Sequence, residues 1–70
     1  MITNSDLIEL GWTQDKYDKE DYTKGHITAS LQEGKIIFVR EWDNYHGISV
    51  SIKTVSEFQL FISYLSKRPI

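Results

Sequence analysis

Seventy residues make one small domain, and ten acidic against eight basic side chains give a formal net charge of −2. Hydrophobic residues are 40% of the chain and aromatics 13%, too much apolar content for a disordered polypeptide. There is no cysteine, which excludes disulfides, thiol catalysis, iron–sulfur clusters and cysteine-ligated zinc.

The longest aliphatic–aromatic run is Ile36-Ile37-Phe38-Val39, far short of the roughly 20 residues a membrane helix needs. No basic segment followed by an apolar stretch opens the chain, so no signal peptide is expected. The expected setting is a cytosol, with the chain complete from Met1. A core this small leaves a margin of only a few kcal/mol, so nearly every large apolar side chain must be buried.

The first expected element is a short helix over residues 4–10. Thr3, Asn4 or Ser5 can cap it, and Asp6 and Glu9 favour the positive end of its dipole. Leu7, Ile8 and Leu10 form its apolar stripe. Gly11 suits the left-handed position after the helix, and Trp12 the hydrophobic contact that follows.

Residues 13–24 are expected to be an acidic irregular segment. Over residues 1–21 six acids face two bases, a net of −4, and the remainder carries +2. The simplest reading is a solvated loop with Tyr17 or Tyr22 tucked against the core. The functional reading is a docking segment made by Asp15, Tyr17, Asp18, Glu20, Asp21 and Tyr22, suited to a basic groove.

Three strands follow. Over residues 26–32, Ile27, Ala29 and Leu31 alternate with polar side chains. Glu33-Gly34 reads as a tight hairpin turn, which pairs Leu31 with Ile36, Ala29 with Phe38 and Ile27 with Arg40. A loop centred on Asn44-Tyr45-His46 then pairs Trp42 with Ile48, Arg40 with Val50 and Phe38 with Ile52. Both registers predict one apolar face containing Ile36, Phe38 and Trp42, with Arg40 as its exception. The opposite face would show Ile37 and Val39 among Thr28, Ser30, Ser49 and Ser51. That face is either a solvated sheet surface or a flat contact for a partner or a second copy. On this register Val39→Lys leaves the monomer folded and removes the contact.

A second helix has the clearest local signal. Thr54-Val55-Ser56-Glu57 fits a capping box, and Val55, Phe58, Phe61, Ile62 and Leu65 recur at helical spacing before Pro69. The predicted fold is therefore α+β: a three-stranded antiparallel meander with a short N-terminal and a longer C-terminal helix on one face, α-β-β-β-α, over residues 1–70.

Little in the chain points to catalysis. The predicted register sets His26 across from Glu41, with His46 and Asp43 in the next loop. A general base or a metal site would need such a group, but its spacing matches no established pattern, and a cross-strand charge pair is the simpler reading. The glycines make no phosphate loop and the serines no nucleophile elbow. No catalytic residue, metal or cofactor is expected. The α-β-β-β-α order is also that of double-stranded-RNA-binding domains. Those grip phosphate with lysines at the start of the second helix, where this chain has Val55-Ser56-Glu57.

The frame Leu7-Ile8-Glu9-Leu10-Gly11-Trp12, the strands, and Thr54-Val55-Ser56-Glu57-Phe58-Gln59-Leu60-Phe61-Ile62 with Leu65 resembles many small proteins of phages and mobile elements. The resemblance implies a host-defence inhibitor, such as an anti-CRISPR protein that binds a large effector, and carries over no site residues. The sequence reading is thus a non-enzymatic protein-binding module with a protein partner, one that itself binds nucleic acid. Its candidate contacts are Asp15, Tyr17, Asp18, Glu20, Asp21, Tyr22, Ile37, Val39 and Tyr45. A self-assembling phage component, a homodimer through the open sheet face and an RNA-binding domain are the alternatives.

Overall fold

Helix α1 (Asn4–Glu9) starts at Thr3, whose hydroxyl accepts the Asp6 N–H at 3.2 Å while the Asp6 carboxylate accepts the Thr3 N–H at 3.0 Å. This reciprocal box satisfies donors that the first helical turn leaves open. At the other end the Trp12 N–H donates to the Leu7 carbonyl and the Gly11 N–H to that of Ile8, with Gly11 at a φ of +95°. That double closure is a Schellman motif, and it turns Trp12 back into the core. The computed structural model describes residues 1–41 and 47–67, with side chains through Leu65. The expected contacts of Trp42, Asp43, Tyr45 and His46 and the stop at Pro69 lie outside the described residues.

The sheet is antiparallel and has five strands in sequential order: β1 (Thr13–Gln14), β2 (Asp21–Lys24), β3 (Ile27–Gln32), β4 (Lys35–Glu41) and β5 (Ile48–Ile52). Residues 13–24 are therefore not irregular throughout, as the sequence suggested. Tyr22 sits opposite Ala29 and Gln14 opposite Tyr22, which adds β2 and β1 to the meander. Gly25 at a φ of +62° starts the two-residue turn into β3, and Glu33-Gly34, both at positive φ, makes the expected turn into β4. Two positive φ values match the right-handed twist of the strands.

Register is where expectation and structure part. Leu31 faces Ile36 as predicted, but Ser30 faces Phe38, Ala29 faces Val39 and Ile27 faces Glu41. A β-bulge places Ile37 as an extra residue, and one extra residue reverses the faces of everything beyond it. Val39 is consequently in the core at 1% exposure, while Phe38 moves to the opposite face. Val39 is thus corrected from an open-face contact to a core residue. The bulge also removes the exception at Arg40, which is exposed and opposite Thr28. His26 lies in the turn before β3 and is not across from Glu41, so the suggested pair does not form through the register.

Helix α2 (Val55–Lys67) closes the chain. The Thr54 hydroxyl accepts the Glu57 N–H at 3.2 Å and donates to the Glu57 carboxylate at 3.1 Å. The expected capping box is therefore one-sided at the backbone. Thr54→Ala is expected to lower stability by about 1 kcal/mol, read as a shifted denaturant midpoint at unchanged slope.

Ile2, Leu7 and Trp12 from the N-terminal side meet Tyr22, Ala29, Ile36, Val39 and Ile52 of the sheet and Phe58 and Leu65 of α2 in one cluster. Both helices thus cover the same face. The Trp12 and Phe58 rings lie 5.2 Å apart at a 39° tilt and join the two helices over the sheet. The buried Tyr22 phenol accepts from Asn4 Nδ2 at 2.6 Å and Gln14 Nε2 at 3.3 Å, so one oxygen ties α1 and β1 to β2. Tyr22→Phe is expected to cost about 1 kcal/mol and to loosen β1 first, seen as faster amide exchange at Thr13 and Gln14.

Candidate functional site

The chain between β1 and β2 is held by its own carboxylates. Asp15 continues the ladder, its N–H donating to the Asp21 carbonyl at 2.9 Å. Its Oδ2 then accepts the N–H groups of Tyr17 at 2.9 Å and Asp18 at 2.7 Å. Asp18 repeats the device, with Oδ1 accepting the Glu20 N–H at 3.0 Å and its carbonyl the Asp21 N–H at 3.1 Å. Aspartate does this because its short side chain reaches the backbone donors of the next two or three residues. Gln14 Nε2 fastens the far side by donating to the Lys19 carbonyl at 2.8 Å.

Two further acids tie the loop to β3. The Gln32 amide donates to the Glu20 carboxylate at 3.1 Å, and the Ser30 hydroxyl donates to Asp21 Oδ1 at 2.6 Å. All four candidate carboxylates thus have a local hydrogen-bonding role. Tyr17 is different: its ring is 95% exposed, and no described residue hydrogen-bonds its phenol. The sequence left open which tyrosine serves the core. Tyr22 does so at 2% exposure, which removes it from the contact surface and leaves Tyr17 displayed.

A fixed loop carrying a free tyrosine suits recognition. The ring offers a large apolar area with a polar tip at the cost of two torsions, and a pre-set backbone reduces the ordering cost of binding. Residues 15–21 carry four acids against Lys16 and Lys19, so the surroundings of Tyr17 are mildly acidic.

The open sheet face differs from expectation in its centre. Thr13, Thr23, Thr28 and Arg40 form one cross-strand row, and Asp21, Ser30, Phe38 and Ser49 the next. Ile37 is half-buried, and the Phe38 ring lies against Gly47, where a Cβ would run into the ring. Phe38 is the one aromatic on that face among the described residues, so the face has no stacking series for single-stranded RNA. Gly47→Ala is expected to push the ring off its seat and lower stability by about 1–3 kcal/mol, measured by thermal denaturation.

Sequence reasoning missed one surface. Leu60 and Tyr64 are 73% and 69% exposed, four residues apart on the side of α2 away from Phe58 and Leu65. The signal was present, since neither belongs to the stripe running through Phe58, Ile62 and Leu65.

A groove of about 230 Å³ runs between α2 and the end of α1, lined by Leu10, Trp12, Lys24, Phe58, Gln59, Ile62 and Ser63. It is smaller than the roughly 300–1,000 Å³ of small-molecule sites. Its one ammonium, Lys24 Nζ, donates to the Leu10 carbonyl at 2.7 Å and so caps α1. Among the described residues no three His, Asp or Glu side chains gather to hold a metal, and no helix is long and apolar enough to cross a membrane. Compared with protein-family models, curated proteins and solved structures, the chain finds no match in any of the three.

Proposed function

We propose that the protein is a non-enzymatic protein-binding module whose main contact is the loop between β1 and β2, with Tyr17 as its anchor. The observation that carries this reading is a tyrosine left 95% exposed on a loop whose backbone is held by Asp15 and Asp18. A small domain gains nothing in stability from an aromatic ring held in water, and a buried tyrosine is a frequent centre of binding energy in an interface. The excess of acids around the ring favours a partner surface that is basic, such as a groove that otherwise takes nucleic acid.

Within this reading, the resemblance to small phage and mobile-element proteins makes a large host-defence effector, of the kind that anti-CRISPR proteins bind, the first partner to test. The test is capture from bacterial lysate on the tagged protein, with and without nuclease, using wild type and Tyr17→Ala in parallel. A protein partner retained by the wild type after nuclease treatment and lost by Tyr17→Ala supports the proposal. A partner recovered equally on both removes Tyr17 from the interface, and recovery that depends on RNA favours the RNA-binding alternative.

A further inference from the structure

The two edges of the sheet are unequal. β1 is two residues long, too short to template another strand. β5 is five residues, about 17 Å of edge, and its sequence Ile48-Ser49-Val50-Ser51-Ile52 holds no charge and no proline. Its inner side pairs with β4, and among the described residues no backbone hydrogen bond reaches its outer side. Natural edges are protected by shortness, charge, proline, bulges or a covering element; β5 is five residues long without charge or proline, and its irregularity lies in the pairing with β4.

We infer that β5 is a self-pairing edge, and that two copies of the chain associate through antiparallel β5–β5 pairing about a two-fold axis at Val50. The occupant follows from the strand itself, because Ile-Ser-Val-Ser-Ile reads the same in both directions. Antiparallel pairing centred on Val50 sets Ile48 against Ile52 of the second copy, Ser49 against Ser51, and Val50 against itself. Every aliphatic residue then meets an aliphatic residue on the helix side, and every serine meets a serine on the open side. Although the β4–β5 register shifts once, burial alternates from Ser49 onward, with Ser49 and Ser51 exposed, Val50 half-buried and Ile52 buried, while Ile48 at the strand's start is exposed.

The core side of the edge supports the same occupant. Ile48 is 41% exposed beside Val39, and Ile52 is buried beside Ile36. Pairing extends these into one row, Val39–Ile48 running on into Ile52–Ile36 of the second copy, and covers the exposed flank of Ile48. Among the described residues the pairing sets no like charges opposite each other, since the nearest charge, Lys53, falls opposite Gly47 of the second copy. The symmetric contact closes on itself, and the two-residue β1 edge stops further growth, so the product is a dimer and not a filament. An edge of this length is a small interface, and its dissociation constant is expected between about 0.1 and 0.5 mM.

Sedimentation equilibrium from about 10 µM to 1 mM brackets that constant. The mass of the wild type is expected to rise with concentration towards that of two chains. Ser49→Lys with Ser51→Lys places lysine against lysine at both symmetric pairs and is expected to weaken association at least tenfold. Ser49→Lys with Ser51→Glu places lysine against glutamate and is expected to restore it. Both positions are exposed, and thermal melts confirm that each variant folds. A wild type that stays monomeric at the top concentration overturns the inference. So does association that survives the double lysine change, or that fails to return with the lysine–glutamate pair. A dimer through the open sheet face would lose association in both variants alike. The inference concerns a different element from the Tyr17 loop, and its failure leaves the proposed function standing.

Discussion

Val39→Lys is expected to abolish cooperative unfolding, giving a circular dichroism melt with no transition. Val39 is 1% exposed, between Ala29 and Ile48 in the middle of the sheet. An ammonium buried there without a partner costs several kcal/mol. A chain of this length is held by about 3–10 kcal/mol in total. Phe38→Lys is the informative contrast. Phe38 is 37% exposed on the open face, so its lysine head reaches water and the loss is limited to the ring's contact with Gly47. A folded Val39→Lys beside an unfolded Phe38→Lys would mean that the strand keeps the regular alternation and that the bulge at Ile37 is absent.

Tyr17→Ala is expected to do the reverse, leaving the fold intact and removing the partner. Because the ring is almost wholly in water, its loss should change stability by less than about 0.5 kcal/mol. As the anchor of an interface it should cost about 2 kcal/mol of binding or more, roughly thirtyfold in affinity. Replacing Leu60 with lysine on the outer side of α2 is the matched control. It changes an exposed apolar residue on another surface and is expected to leave binding unaltered.

What could be read from the sequence was what short-range chemistry decides. A cap before α1, which the sequence left open among Thr3, Asn4 and Ser5 and which Thr3 supplies, the Gly11-Trp12 closure, the Glu33-Gly34 turn and the Thr54 cap each depend on residues within a few positions of one another, and each formed. Helix α2 followed from its periodicity. The bulge could not be read in the same way. Ile36, Ile37, Phe38 and Val39 are all apolar, so either parity gives a hydrophobic face, and the choice rests on what β3 and β5 present across the sheet. Arg40 was the visible warning, because a regular strand put its charge on the core side.

The strands β1 and β2 were missed for a related reason. Six strand residues, three of them charged or amide-bearing, make no alternation long enough to detect, and what holds them is Tyr22 against Ala29 together with the phenol shared by Asn4 and Gln14. The candidate site was legible as a region and not as a mechanism. The acidic cluster stood out, yet its aspartates serve the loop's own backbone, and the side chain left exposed is the tyrosine between them, which the proposed function takes as the contact. Which tyrosine that is depends on the register of β2, a long-range property.

Amide hydrogen exchange of the protein with and without the partner captured from lysate tests the β1–β2 loop as the contact. Binding through the loop predicts that slowed exchange is centred on residues 15–20, that it is lost with Tyr17→Ala, and that it persists with Leu60→Lys. Protection centred on α2 or on the open sheet face, with residues 15–20 exchanging as in the free protein, would contradict it.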